Sequence, residues 1–235
     1  GLGETGLSVA RYLSGQGVPV AVVDSRTEPP ALERSRAELP ADVALFLGDF
    51  NAEAFERAEQ IVISPGVSMQ EPAIAAALAR GVPVIGDIEL FAQAAVAPVI
   101  AVTGSNGKST VVTLLGALAR RAGLDVRDGG NIGTPALDLL MEQEPDLYVL
   151  ELSSFQLETV SSLRPQAAAV LNISADHLDR YTDLQAYAAA KQSIFRQAAV
   201  QVFNLDDVLV TSLVDQAQPH TGFSCSVPND DNYGL

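Results

Sequence analysis

The sequence predicts an α/β protein with two parallel-sheet units, the first Rossmann-like and the second organised around a phosphate loop. Three observations carry this reading. Apolar runs of strand length alternate with helical patterns along the chain. The strand runs are continuously apolar, which suits strands covered on both faces. Two glycine-rich turns, "GLGETG" at residues 1–6 and "TGSNGKST" at residues 103–110, each lead into a helical pattern.

The elements follow in order. Residues 7–16 read as a helix and residues 18–24 ("VPVAVVD") as a buried strand. Residues 43–48, 61–66 and 82–87 are further strand candidates. "PAIAAALARG" at residues 72–81 is a helix with a glycine stop at Gly81. A second series opens with the strand "PVIAVTG" at residues 98–104. A long helix runs from about Lys108 to Arg121, and residues 146–152 and 167–173 are buried strands. Residues 184–198 read as a helix and residues 200–205 as a strand. The boundary falls near residues 93–97, giving units over residues 1–94 and 95–235. The tail at residues 225–235 is polar and unpatterned, and reads as a surface loop.

Composition narrows the function. Of 235 residues, 48% are hydrophobic and 18% charged, as in a packed globular protein. The net charge of -15 argues against a nucleic-acid partner and against a polybasic membrane contact. Such a chain holds anionic phosphates only in a locally positive pocket of amides, lysine and metal. One cysteine, Cys225, makes neither an internal disulfide nor a cysteine zinc cluster, and a reducing cytoplasm is the simplest compartment. No run has the apolar length of a membrane span. The chain opens inside a motif, so the sequence reads as a piece of a longer protein, lacking the strand expected before Gly1.

Gly1, Gly3 and Gly6 fit the spacing that lets a diphosphate approach a helix N-terminus. Asp24 ends the next strand, near the offset of ~20 residues at which an acid meets a ribose in dinucleotide folds. The same glycines also suit a plain strand-to-helix turn. A hydride enzyme needs a polarising acid or base against its substrate, and residues 1–94 offer no obvious one; both histidines, His177 and His220, lie later.

The second turn has the strand–loop–helix context of a phosphate loop. Gly104 and Gly107 let the amides of Ser105 and Asn106 turn inward, Lys108 reaches the terminal phosphates, and Ser109 or Thr110 offers a hydroxyl to magnesium. The loop is a compact variant, with Val102 where the longer pattern has glycine. Glu151 closes a strand beside this loop, where a carboxylate binds magnesium or forms a solvated rim. "NISADHLDRY" at residues 172–181 repeats that placement, and reads either as a site around His177 or as a helix start capped by Ser174. Lys191, on a small-residue helix face, reads by itself as a surface lysine.

Taken together, "TGSNGKST", "GGNIGTPAL", "LYVLELSSFQLE", "LNISADHLDRY" and "AAAK" resemble the Mur ligases, ATP-dependent amide-forming enzymes of peptidoglycan synthesis. "GLGETG", "VVDSR", "ISPG" and "GDIELF" narrow the resemblance to the branch that adds D-glutamate to UDP-N-acetylmuramoyl-L-alanine. The resemblance implies three domains, of which the last, closing over the amino acid, falls outside residues 1–235. It implies that Asp24 and Arg26 meet the uracil end and that Thr5 and Gly66 line the diphosphate. It implies ATP on residues 104–110 and a carboxylate activated as an acyl phosphate, which the amine of D-glutamate attacks. Lys108 would stabilise the transferred phosphoryl group, and Asn131 and His177 would contact the substrate arm. Ser109 and Glu151 would serve one magnesium ion and His177 a second, joined by Lys191 if carbon dioxide carbamylates it. A cytoplasmic protein is expected, with the oligomeric state open and a monomer favoured, and residues 1–235 alone are expected to turn over little substrate. Three rivals stay open: a folylpolyglutamate synthase-like ligase, a non-catalytic UDP-sugar or ATP sensor, and a dehydrogenase.

Overall fold

A computed structural model of the chain describes residues 1–50, 52–141, 143–176, 180–227 and 232–234. In the first half the order is α1 (Glu4–Gly15), β1 (Ala21–Asp24), α2 (Leu32–Glu38), β2 (Ala44–Leu47), α3 (Ala52–Glu56), β3 (Ile61–Ile63), α4 (Pro72–Ala79), β4 (Val84–Gly86) and α5 (Asp87–Ala94). The α1 helix starts three residues earlier than the apolar periodicity suggested. Gly3 takes the extended N-cap position and accepts the Leu7 N–H at 2.9 Å. Gly6 is required there, because a Cβ would lie 1.8 Å from the Gly1 carbonyl oxygen. Leu7 and Ala10 then bury against Leu2, Val22, Ala31 and Leu32.

The four strands of this half form two parallel pairs, β1 with β2 and β3 with β4. Among the described residues no ladder joins the pairs. A cavity of about 860 Å³, lined by Val9, Val22, Val23, Phe46, Val62 and Ile63 among others, lies between them.

The second half runs β5 (Val99–Thr103), α6 (Lys108–Arg121), β6 (Val126–Gly130), α7 (Ala136–Leu139), β7 (Leu147–Glu151), α8 (Ser154–Leu157), β8 (Ala167–Val170) and α9 (Leu184–Gln192). A 3-10 turn (Ser193–Phe195) shortens the helix expected to reach residue 198, and β9 (Gln201–Asn204), α10 (Val208–Ser212), β10 (His220–Ser224) and β11 (Tyr233–Gly234) follow. The sheet is parallel, in the order β11-β10-β9-β8-β5-β7-β6. The loop reading of residues 225–235 is corrected by β11, whose two residues are too few to leave a pattern. Asn232 secures it by accepting the Gly222 N–H at 2.7 Å.

Alternation along the strands divides the core. On one face Val99, Ala101, Tyr148, Leu150 and Val170 join the main cluster; on the other Val102, Val149 and Ala169 meet Val112 of α6. Helix α5 packs into the main cluster through Ile88, Leu90 and Phe91, with Phe91 edge-on to Tyr148 at 5.0 Å. The halves are also tied by polar bonds. Arg11 meets Asp138 at 2.6 Å, and the Glu89 carboxylate accepts the amides of Ser161 and Ser162 at 2.7 and 3.0 Å.

Candidate active site

Strand order dictates where the functional groups meet. β5 is flanked by β7 on one side and β8 on the other. In an open parallel sheet such a reversal leaves a crevice at the C-terminal strand ends. Register pairs Val102 with Glu151 and Thr103 with Val170, so residues 103–110, Glu151 and the segment after β8 converge there.

The loop at residues 104–107 is shaped by one left-handed glycine and one amide staple. Gly107, the N-cap of α6, has φ +80°, a conformation that side chains resist. The Asn172 side chain accepts the Asn106 N–H at 2.8 Å and donates to the Asn106 carbonyl at 3.0 Å. The Asn172 carbonyl accepts the Ser105 N–H at 2.9 Å. The Ser174 N–H donates to Ser105 Oγ at 3.0 Å; the helix start that Ser174 would cap runs into residues 177–179, outside the described residues. Helix α6 has no acid in its first turn, so its N-terminal amides and partial positive charge face the loop.

Two lysines converge on this loop. Lys108 Nζ donates to the carbonyls of Gly104 and Ser105 at 2.9 and 3.0 Å. Lys191 Nζ donates to the same Gly104 carbonyl at 2.9 Å and to Thr103 Oγ1 at 3.3 Å. The surface-lysine reading of Lys191 is therefore corrected: the residue is 1% exposed, with its ammonium 4.6 Å from the centre of the Tyr187 ring. Tyr187, Ala188 and Lys191 share the buried face of α9, which carries Lys191 inward. Burial, then the Lys108 charge, pushes the Lys191 pKa down to about 7, with Asp176 and Glu151 partly offsetting both.

Glu151 is also internal, at 1% exposure, which removes the solvated-rim reading. It accepts Ser109 Oγ at 2.7 Å on one oxygen and Asn131 Nδ2 at 2.9 Å on the other. Gly130 admits this approach. Its φ is +110°, and a Cβ would lie 2.4 Å from the Glu151 carbonyl oxygen. Thr110 is exposed on the first turn of α6, and Asn131 is exposed at the end of β6. His177 lies outside the described residues, between the described Asp176 and Arg180. Among the described residues no group of three His, Cys, Asp or Glu side chains is assembled for a metal. The paired Ser109 hydroxyl and Glu151 carboxylate are nonetheless the hard oxygen donors that suit magnesium.

A second polar centre sits at the first glycine turn. Asp24, 2% exposed, accepts the Leu2 N–H at 2.6 Å. It also accepts the Arg26 N–H at 2.9 Å and the Arg26 guanidinium at 2.8 and 2.7 Å. The Arg26 side chain, then these amides, hold the Asp24 carboxyl well below the usual carboxylate range despite burial. Each oxygen already has two donors, which disfavours the role of a ribose acceptor in a dehydrogenase. Thr5 is half-buried in the first turn of α1, and Gly66 is exposed in a turn closed by Val67 N–H to Ser64 O at 2.9 Å. Ser64 Oγ reaches the Gly1 carbonyl at 3.5 Å, which brings this turn beside the glycine turn.

Several participants escaped the sequence reading, among them Thr103, Asn172 and Arg180. Asn172 carried a usable signal, an amide at the end of a strand beside the expected phosphate loop. Arg180 carried none, because the carbonyls it holds, those of Pro65 and Val67, belong to the other half of the chain.

Comparison with known proteins is consistent with this geometry. Residues 1–86 match the Mur ligase MurD-like N-terminal domain, and residues 102–233 match the Mur ligase middle domain. The UDP-N-acetylmuramoylalanine–D-glutamate ligase of Nitrosococcus oceani is 57% identical over all of this chain and 52% of its own length. The enzyme of that name from Marinobacter nauticus is 60% identical over 91% of this chain and 47% of its own. The chain thus spans about half the length of the curated relatives it matches. Among solved structures, the UDP-N-acetylmuramate:L-alanyl-gamma-D-glutamyl-meso-diaminopimelate ligase from Neisseria meningitides shares the fold, with TM-score 0.64 and 22% identity over 95% of this chain and 76% of that one. UDP-N-acetylmuramate-alanine ligase from Thermotoga maritima aligns with TM-score 0.55 and 20% identity over 94% of this chain and 51% of that one. With the middle-domain match spanning more than half of its residues, the chain belongs to the Mur ligase family.

Proposed function

We propose that the protein carrying this chain joins D-glutamate to UDP-N-acetylmuramoyl-L-alanine at the expense of ATP. In this reading residues 1–94 hold the UDP substrate and residues 95–235 hold ATP and the reacting carboxylate. A cytoplasmic monomer is part of the same reading. The observation that carries it is the meeting of Lys108, Lys191 and the Ser109–Glu151 pair around one loop at the strand-end crevice.

The chemistry asks mainly for positioning and charge neutralisation. The N-terminal amides of α6 bind the phosphates, the Ser105 and Asn106 amides being held by Asn172 rather than turned to the anion as the sequence suggests, and Lys108 swings from its carbonyl partners to the transferred phosphoryl group. A substrate carboxylate oxygen bonds to that phosphorus as the bond to ADP breaks, giving an acyl phosphate and free ADP. The D-glutamate amine then displaces phosphate and forms the amide. Asn131 orients the substrate arm and keeps Glu151 aimed. Magnesium, when bound, neutralises phosphate charge; Ser109 and Glu151 would hold one ion, and His177 with a modified Lys191 a second.

Lys191 is prepared for that modification. Its pKa near 7 leaves a large share of neutral amine at neutral pH. The neutral nitrogen adds to carbon dioxide, loses a proton and becomes an anionic carbamate. A cation beside Lys108 is thereby replaced by an oxygen ligand.

The test is phosphate release by the complete protein with ATP and magnesium. Release that needs both UDP-N-acetylmuramoyl-L-alanine and D-glutamate supports the reading. Release indifferent to either substrate, or none at all, overturns it. Residues 1–235 alone are expected to give little turnover.

A further inference from the structure

One arginine bridges the two halves of the chain. Arg180 lies in the segment that follows His177, and its guanidinium is rooted in the second half. It stacks 4.4 Å from the centre of the Phe155 ring and lies 3.7 Å from Glu158 Oε2. From there it crosses to the first half. One terminal nitrogen donates to the Pro65 carbonyl at 3.1 Å and the other to the Val67 carbonyl at 3.1 Å. These carbonyls flank Gly66 in the turn that ends β3.

The fork has a geometric consequence. A trans peptide points its N–H opposite to its C=O. There are no cis peptides in the chain's described backbone. Fixing the Pro65 carbonyl on Arg180 therefore turns the Gly66 N–H away from Arg180, and fixing the Val67 carbonyl does the same for the Ser68 N–H. The turn around the exposed Gly66 is held in one orientation, with the Gly66 and Ser68 amides on the side away from Arg180. The guanidinium suits this task because its rigid planar fork fixes two acceptors in one set geometry, whereas the donors of an ammonium rotate at the end of a flexible stem.

We propose that Arg180 is a positioning residue: it presets the turn at residues 64–67 for the diphosphate of the UDP substrate and ties that turn to α8 of the second half through Phe155 and Glu158. The inference rests on the ligase reading above and adds a residue to it. Arg180 need not touch ATP, so its loss should act on one substrate.

The experiment uses the complete ligase with Arg180→Ala and Arg180→Lys, followed by calorimetric binding and steady-state kinetics. Loss of two charge-assisted bonds to the turn should weaken binding of UDP-N-acetylmuramoyl-L-alanine, and raise its KM, about tenfold. Affinity for a non-hydrolysable ATP analogue should stay within about twofold, on the usual additivity of distant sites. The Lys variant should recover only part of the loss. A general structural role would instead lower the melting temperature and weaken both ligands alike, and that outcome overturns the proposal. So does an unchanged KM in Arg180→Ala when the wild type uses the UDP substrate. A wild-type protein that ignores UDP-N-acetylmuramoyl-L-alanine overturns the ligase reading, and this inference with it. If Arg180→Ala does not fold, Arg180→Lys carries the comparison alone, and wild-type UDP-substrate affinity in that variant overturns the proposal.

Discussion

The two glycine turns look alike in sequence and differ in what stands behind them. Behind the turn at residues 1–6 is a carboxylate. Asp24 takes the Leu2 amide, and Arg26 folds onto it from outside. Behind the turn at residues 103–110 are two ammonium groups that share the Gly104 carbonyl, next to a hydroxyl–carboxylate pair. Net charge is -15 for the whole chain, yet the second turn gathers two lysine side chains on one carbonyl. A glycine turn supplies amides and close approach, and its neighbours decide whether it only holds an anion or also acts on one. The first turn is suited to holding and the second to transfer.

The largest effect that would test this contrast is at Lys108. In the complete ligase, Lys108→Met should lower kcat by ~10²–10³, the scale seen on removing one group that stabilises developing charge. Binding of the UDP substrate should be unchanged by calorimetry. Near-normal turnover in this variant would erase the distinction between the turns.

Gly6→Val is the counterpart at the first turn. The Cβ would overlap the Gly1 carbonyl oxygen at 1.8 Å, so the turn must open. The expected cost is about 1–3 kcal/mol in stability, typical of overpacking. UDP-substrate binding should fall and ATP-analogue binding persist, read by thermal melts and calorimetry. Equal loss of both ligands would mean that the turns do not act separately.

A smaller change separates the metal donors from the phosphate donors. Asn131→Leu leaves one Glu151 oxygen without its 2.9 Å donor. Loss of such an outer partner commonly costs ~10–100-fold in metal affinity. The magnesium concentration giving half-maximal phosphate release should therefore rise, while the ATP requirement at saturating magnesium changes little. A magnesium response identical to wild type would place Glu151 outside the metal site.

What the sequence disclosed follows from which interactions are local. Helix α6 is found where it was expected, from Lys108 to Arg121, because Gly107 and Gly123 bound a long helical pattern. Lys108, Ser109 and Glu151 could be placed at one crevice because a glycine loop and a strand end are both local signals. Read by itself, a lone lysine among alanines looks solvated, and only the resemblance places Lys191 in the site; its burial depends on α9 packing against α8, a contact between distant segments. The Asn172 staple, the Arg180 fork and the packing of α5 on the second sheet join residues far apart in sequence. No periodicity encodes such partners. The β11 strand is two residues long, below the length at which a pattern exists.

A pH slope at Lys191 probes the lysine side of the comparison directly. The folded pKa is about 7, against about 10.4 for a solvated lysine. Below pH 7 both states are protonated, and the folded protein bears the full cost of a buried charge. Between about pH 7 and pH 10 the unfolded chain binds more protons than the folded one, so this group makes stability rise with pH. In buffer free of carbon dioxide, the melting temperature of wild type should climb relative to Lys191→Met between pH 7 and pH 9. Adding labelled bicarbonate should then produce a carbamate carbon signal in wild type that grows as the pH passes 7 and is absent from the variant. A wild-type melting curve parallel to that of the variant would mean that the second turn does not depress Lys191, and that its local charge is weaker than the contrast with Asp24 requires.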